Sequence, residues 1–215
     1  MVDPKALGRL TKENFAKEEG LSDDLLERFS TYRDLLEKWQ KQINLVGRTT
    51  LPDLWRRHFL DSAQLFPLIP KSAKTLVDLG SGAGFPGLVL ALLISERGGP
   101  DVHLVEADGR KAAFLVEANR ALEARVTVHS RRIESITDLK TDIITARALS
   151  PLDRLLDQAE RFMKPGTTCL FLKGENALHE LTNARKHWTM TVAETASITH
   201  DLARVLKLTE VSRVD

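Results

Sequence analysis

Cysteine is nearly absent: the 215-residue sequence contains one, Cys169. A single thiol excludes an internal disulfide framework and fits a reducing compartment. It sits inside the apolar run Cys-Leu-Phe-Leu, which predicts a buried structural thiol and not a nucleophile. Long hydrophobic runs are also missing. The longest, Leu88 to Ile94, is far too short to span a bilayer. Residues 1–20 carry no apolar segment of the signal-peptide kind, so a cytoplasmic protein without a membrane partner is expected. An excess of one charge is missing as well: 31 basic residues stand against 30 acidic, a formal net charge of +1. That balance neither demands nor excludes a nucleic-acid partner. There are no repeats, no low-complexity tracts and no aromatic-interleaved platform for single strands. No metal is expected, and a monomer is the default.

What remains is an ordinary globular composition, 42% hydrophobic and 28% charged, long enough for one full domain plus an extension. Residues 1–20 are weakly patterned and expected to be partly mobile. Ser22-Asp23-Asp24 reads as a helix start, a capping hydroxyl followed by acids in the first turn. Leu25, Phe29, Tyr32, Leu36, Trp39 and Ile43 then recur every three or four residues, the apolar stripe of a helix of about 20 residues. A second helix is expected after Pro52, with Trp55, His58, Phe59 and Ser62 on or near one face, closed by Pro67 and Pro70. Residues 1–70 thus read as a helical N-terminal extension, and 71–215 as the main domain.

From Thr75 the rhythm becomes strand and helix in alternation. Five βα units followed by two paired strands predict a doubly wound α/β sheet, mostly parallel with one antiparallel edge strand. The first unit carries the richest segment, Thr75-Leu-Val-Asp-Leu-Gly-Ser-Gly-Ala-Gly-Phe-Pro-Gly87. An apolar run, a glycine turn and a second apolar run read as strand, tight loop and helix. Such a loop brings a backbone close to a ligand at a helix N-terminus. The dinucleotide fingerprint G-x-G-x-x-G would need glycine at 85, where Phe85 stands. The glycines instead run Gly80-x-Gly82-x-Gly84, with Asp78 two residues ahead. That acid suits an amino-bearing ligand better than a pyrophosphate. Glu106, at the end of the next strand, is placed to accept both hydroxyls of a ribose. Glycine loop and acid together point to an adenosine cofactor, S-adenosyl-L-methionine. A nicotinamide-dependent oxidoreductase, a methyltransferase on another RNA or small molecule, and a silent binding module stay open on these residues alone.

The chain also resembles the bacterial small-subunit ribosomal RNA guanine-N7 methyltransferases, the glucose-inhibited division B family. The resemblance runs through Trp39-x4-Asn44-Leu45, Arg57-His58-Phe59-Leu60-Asp61-Ser62, the glycine loop, Val105-Glu106-Ala107-Asp108-Gly109-Arg110-Lys111, Ser130-Arg131-Arg132-Ile133-Glu134-Ser135, Ala146-Arg147-Ala148, Leu172-Lys173-Gly174 and Arg204-Val205-Leu206-Lys207. It implies a class I methyltransferase fold, S-adenosyl-L-methionine as methyl donor, and small-subunit (16S) ribosomal RNA or a ribosomal subunit as partner. It implies cofactor contacts from Gly80, Gly82, Phe85, Ile133, Glu134 and Arg147, with Glu106 on the ribose and Asp78 beside the loop. It implies a substrate pocket near Arg57, His58, Asp61, Arg110, Arg147 and Lys173. Arg147 is expected to orient and not to exchange a proton, and His58 is the other catalytic candidate. On the residues alone, His58 on an amphipathic helix reads as a packed, hydrogen-bonded side chain before it reads as a catalyst. Glu106 stands where the family more often has Asp, and Asp108 where it has an apolar residue.

Overall fold

The structure, a computed structural model, describes residues 9–214. Of the weakly patterned stretch 1–20, residues 1–8 lie outside the described residues; the rest is ordered into helix α1, Lys12–Glu19. Thr11 caps it by accepting from the Asn14 N–H, and Gly20 closes it in the left-handed region. Phe15 is its one buried residue and packs edge-on against Phe29, ring centroids 5.1 Å apart. A helix with a single anchor has no apolar stripe, so periodicity could not reveal it. Helix α2, Asp23–Gln40, starts where expected, its Ser22 Oγ accepting from the Leu25 N–H. Its stripe of Leu25, Phe29, Tyr32 and Leu36 is buried. The segment after Pro52 is helical but irregular. A 3-10 turn, Leu51–Asp53, leads into a π-helix, Trp55–Leu60, and a single α-turn, α3, Asp61–Ala63. Such π segments recur at functional sites.

Seven strands follow: β1 Thr75–Leu79, β2 Asp101–Glu106, β3 Thr127–Ser130, β4 Ile143–Arg147, β5 Thr168–Lys173, β6 Trp188–Ala196 and β7 Arg204–Arg213. Their order in the sheet is β3-β2-β1-β4-β5-β7-β6. The first five are parallel; β7 runs antiparallel between β5 and β6, so the antiparallel element lies at that edge. Helices α4 Gly87–Arg97, α5 Gly109–Leu122, α6 Leu152–Ala159 and α7 Ala177–Ala184 cover the faces. β3 connects to β4 through only a 3-10 turn, Ile133–Ser135. The chain reverses direction across the sheet between β1 and β4, the place where such sheets bind ligands.

Two apolar layers result. On one face α4 and α5 share a continuous core with Phe15, Phe29, Tyr32, Leu36 and Phe59 of the extension. Each of these large side chains, fully buried, contributes about 1.5–3 kcal/mol. The extension is therefore packed as part of the same body, and it delivers Arg57, His58 and Asp61 to the sheet. On the other face Leu155, Leu156, Phe162 and Trp188 close over Val77, Ile144 and Phe171. Cys169 lies in this layer, and burial pushes its thiol up to about 12. No helix among the described residues is long and apolar enough to cross a membrane.

Candidate active site

The β1–α4 loop is built by its glycines. Gly80, Gly82 and Gly84 have φ of 65°, 57° and 90°, the left-handed region that a side chain resists. The turn is pinned from three sides. Ser81 N–H donates to the Val105 carbonyl at 3.0 Å. The Tyr32 hydroxyl donates to the Ala83 carbonyl, and its ring stacks on Phe85 at 5.5 Å. Glu106 holds the third side: its Oε2 accepts from Gly82 N–H and its Oε1 from Asp108 N–H, both at 2.8 Å. A carboxylate oxygen has a second lone pair, so both oxygens can still accept a hydroxyl at the C-terminal end of β2. Asp108 in turn caps α5, accepting from the Arg110 and Lys111 N–H groups, which hold its carboxyl below the usual range.

Asp78 is placed differently from the sequence expectation. It is fully buried beneath the loop. Its Oδ1 accepts from Thr145 Oγ1 of the neighbouring strand at 2.7 Å, and its Oδ2 from the Gly87 N–H at the start of α4 at 3.2 Å. It fastens helix to sheet and presents no surface to an amino group. Burial raises its carboxyl to about 6, against the hydrogen bonds from Thr145 and Gly87.

Beside the loop, at the end of β4, Arg147 gathers the extension. Its Nη2 donates to His58 Nδ1 at 2.8 Å, and its Nη1 to the Arg57 carbonyl at 3.1 Å. Nη1 also lies 3.4 Å from Asp61 Oδ2, and the guanidinium sits 4.7 Å above the Phe85 ring. A guanidinium only donates, so His58 Nδ1 must be the acceptor and Nε2 must carry the proton. Nε2 then donates to Thr50 Oγ1 at 2.8 Å, whose hydroxyl donates to the Gly47 carbonyl at 2.8 Å. Burial first, and then the charges of Arg147 and Arg57, pull His58 down to about 3. His58 is thus neutral, with both ring nitrogens engaged. Asp61 is held from the far side by Thr199 Oγ1 at 2.6 Å and Gln64 Nε2 at 3.0 Å.

This arrangement sets a pH dependence. Between pH 6.5 and 3 the unfolded chain protonates His58 while the folded chain does not, so stability falls as pH falls. The slope from one such group is up to about 1.4 kcal/mol per pH unit. Asp78 works the other way between pH 3.8 and about 6, because its folded carboxyl is the stronger proton binder. A His58→Gln variant removes the first contribution and keeps the second. Urea unfolding at pH 7 and pH 5 is expected to show a shallower loss for the variant; equal losses would contradict the buried neutral imidazole.

After Arg147 the chain turns through Ala148, φ 51°, and lays Leu149 over the glycine loop. A Cβ on Gly80 would lie 2.5 Å from Leu149 Cδ1. Beyond Leu149 opens a cavity of about 800 Å³ at the C-terminal ends of β4 and β5. Arg57, His58, Asp61, Arg147 and Lys173 all line it. The structure therefore brings together five of the six residues expected at a substrate pocket. Arg110 is the exception: it is exposed in the first turn of α5, on the Glu106 side of the loop, and does not line the cavity. Ile133 and Glu134 lie just past the end of β3, whose Ser130 is in register with Glu106. Sequence reading missed Thr50, Leu149 and Thr199, and also Ser150 and Glu180 on the cavity wall. These are common residue types in unremarkable local sequence, and only the fold makes them neighbours.

A seven-stranded sheet with this order, a glycine loop at its switch point and an acid at the end of β2 define a class I methyltransferase. Solved structures agree on the fold. An O-methyltransferase from Bacillus cereus in complex with SAH aligns at a TM-score of 0.56 and 14% identity, over 84% of this chain and 91% of that one. N-methyltransferase NodS from Bradyrhizobium japonicum, in complex with S-adenosyl-L-homocysteine, gives 0.55 and 14%, over 83% and 97%. The family model "GidB: rRNA small subunit methyltransferase G" matches residues 25–208, and the chain belongs to that family. "Ribosomal RNA small subunit methyltransferase G" of Paramagnetospirillum magneticum is 55% identical over 94% of this chain and 96% of its own. The protein of the same name from Rhodospirillum rubrum is 50% identical over 95% and 100%.

Proposed function

We propose that this enzyme transfers the methyl group of S-adenosyl-L-methionine to N7 of a specific guanine in small-subunit ribosomal RNA. The observation that carries the chemistry is the state of His58 and Arg147 beside the cavity. One is a neutral imidazole with both nitrogens engaged, the other a permanent cation. Guanine N7 has an in-plane lone pair and no proton to lose, so attack needs no base, and orientation can supply most of the rate. Family membership supports the choice of RNA.

The residues fit the donor. Gly80 and Gly82 offer a backbone without side chains, and Glu106 offers two partly engaged carboxylate oxygens for ribose hydroxyls. Bound S-adenosyl-L-methionine supplies an electrophilic methyl on a sulfonium sulfur. Leu149, between Gly80 and the cavity, presents an apolar side chain that would limit water beside the methyl group. Arg147 keeps Phe85, His58 and Asp61 in one arrangement. Arg57 and Lys173 supply cations for the RNA side, and Ile133 and Glu134 supply one wall beside the adenosine. We further propose that residues 1–70 and 71–215 act as one unit, as a cytoplasmic monomer; the exposed large apolar residues, such as Val116, Leu178 and Ile198, are scattered over separate elements.

The test is mass mapping of small-subunit ribosomal RNA with and without the enzyme, with labelled donor. A new 7-methylguanine at one position is expected; no change in the modification pattern refutes the substrate. Glu106→Ala is expected to weaken donor binding at least tenfold, since each hydrogen bond to a charged partner is worth about 1.5–3 kcal/mol. Calorimetry with the donor measures this, and unchanged affinity would remove Glu106 from the site.

A further inference from the structure

The far wall of the cavity holds a buried ion pair that the orienting cluster does not use. Lys173, at the end of β5, is 7% exposed, and what remains exposed faces the cavity. Its Nζ donates to the Ser150 carbonyl at 2.6 Å and lies 2.8 Å from Glu180 Oε2 on α7. The same Oε2 accepts the Leu152 N–H at 2.9 Å, at the start of α6. An ammonium has three protons, and a carboxylate has two oxygens. Two Lys173 protons and one Glu180 oxygen are thereby used within the protein. One proton and Oε1 remain for the cavity, which both residues line.

We propose that Lys173 and Glu180 read the guanine itself: the third Nζ proton goes to O6, and Oε1 accepts the N1–H. The proposal rests on the guanine-N7 reading above. A donor beside an acceptor matches the O6/N1–H edge of guanine. Adenine offers the reverse pattern, an amino donor beside an N1 acceptor. The position fits as well. Arg147 and Leu172 are in register on β4 and β5, neighbouring strands about 4.8 Å apart, and Lys173 follows Leu172. A purine lying across those two strand ends presents N7 towards Leu149 and the glycine loop, and O6 and N1 towards Lys173 and Glu180. The cavity is within the usual size range of small-molecule sites. Methylation at N7 also puts positive charge on the ring and makes N1–H more acidic. The bond to Glu180 Oε1 therefore strengthens as the methyl is transferred, the requirement for a contact that raises the rate. In this step the N7 lone pair forms the new N–CH3 bond, the C–S bond pair goes to sulfur, and no proton leaves.

The test uses small subunits reconstituted around ribosomal RNA with guanine, inosine or 2,6-diaminopurine at the target position. Inosine keeps O6 and N1–H; diaminopurine keeps N7 but reverses that edge. Wild type is expected to methylate guanine and inosine within a few-fold of each other, and diaminopurine on the order of 100-fold more slowly in kcat/KM. Glu180→Gln keeps an acceptor for Leu152 N–H, and its amide can donate to an N1 acceptor. It is expected to lower guanine methylation at least tenfold, to cut the guanine preference at least tenfold, and to leave donor affinity unchanged. Lys173→Arg is the second variant and is expected to weaken the same preference. A preference unchanged in both variants overturns the proposal. So does a Glu180→Gln variant that loses donor binding and methyl transfer together, which marks a purely structural pair. Absence of any N7 methylation by wild type refutes instead the functional reading beneath it.

Discussion

Replacing Arg147 with methionine is expected to lower kcat/KM at least 100-fold and to lower the melting temperature by about 5–15 °C. The guanidinium is the common partner of His58 Nδ1, the Arg57 carbonyl and Asp61, and it covers Phe85. Methionine fills much of the volume and satisfies none of the three acceptors. Breaking a buried pair costs about 3–5 kcal/mol. Here the side chains of Arg147 and Asp61 are 18% and 15% exposed, and Thr199 and Gln64 still hold Asp61. We therefore expect about 2–4 kcal/mol, and each kcal/mol shifts the melting point of a chain this size by about 2–4 °C. The loss of activity follows from position: a displacement of about 1 Å in an orienting wall is enough for a 100-fold effect. Arg147→Lys restores the charge near Asp61 but cannot serve three partners in a plane, so it should recover stability more than rate. In the methionine variant His58 should titrate higher, because one of the charges depressing it is gone. Methyl-transfer kinetics, thermal unfolding and imidazole NMR test these points together. A variant within threefold of wild-type activity and 2 °C of its melting point would remove Arg147 from the centre of the site.

Replacing Gly84 with alanine is expected to cost about 2–4 kcal/mol and to abolish measurable donor binding. At φ 90° a side chain pays about 1 kcal/mol in backbone strain. The added Cβ also runs into the Tyr32 hydroxyl and lies 2.8 Å from Leu88 Cβ. Neither neighbour can withdraw: Tyr32 is fully buried and bonded to the Ala83 carbonyl, and Leu88 is in the first turn of α4. Overpacking of this kind adds about 1–3 kcal/mol. Gly20→Ala is the matched control. Gly20 has φ 61° but nothing within 4 Å of its would-be Cβ, so only the backbone cost applies and donor affinity should be unchanged. Urea unfolding and donor calorimetry on the pair separate strain from collision. Equal costs at the two positions would show that the Tyr32 brace carries no weight.

The two variants differ in how far their reasons could be foreseen. The glycine loop was legible because its signal is local: alternating glycines between two apolar runs fix strand, turn and helix within thirteen residues, Thr75 to Gly87. The same holds for the Ser22 cap and for Glu106 at the end of its strand. What Gly84 collides with was not legible, because Tyr32 lies 52 positions earlier on another helix. Asp78 shows the limit most clearly. An acid ahead of a glycine loop suggested a ligand contact, but β1 and β4 are adjacent and in register at Asp78 and Thr145, so the carboxylate turns inward.

Sequence alone determined the long amphipathic helix α2, the doubly wound sheet and the tight glycine turn at its centre. These follow from backbone periodicity and from the steric demands of a tight turn, which act over a few residues. Tertiary structure decided which side chains share the cavity: His58 with Arg147, 89 positions apart, Asp61 with Thr199, 138 apart, and Lys173 with Glu180. It also decided their protonation, leaving His58 neutral and Arg147 charged. Strand order and burial govern those pairings, and neither is encoded in the neighbours of any one residue.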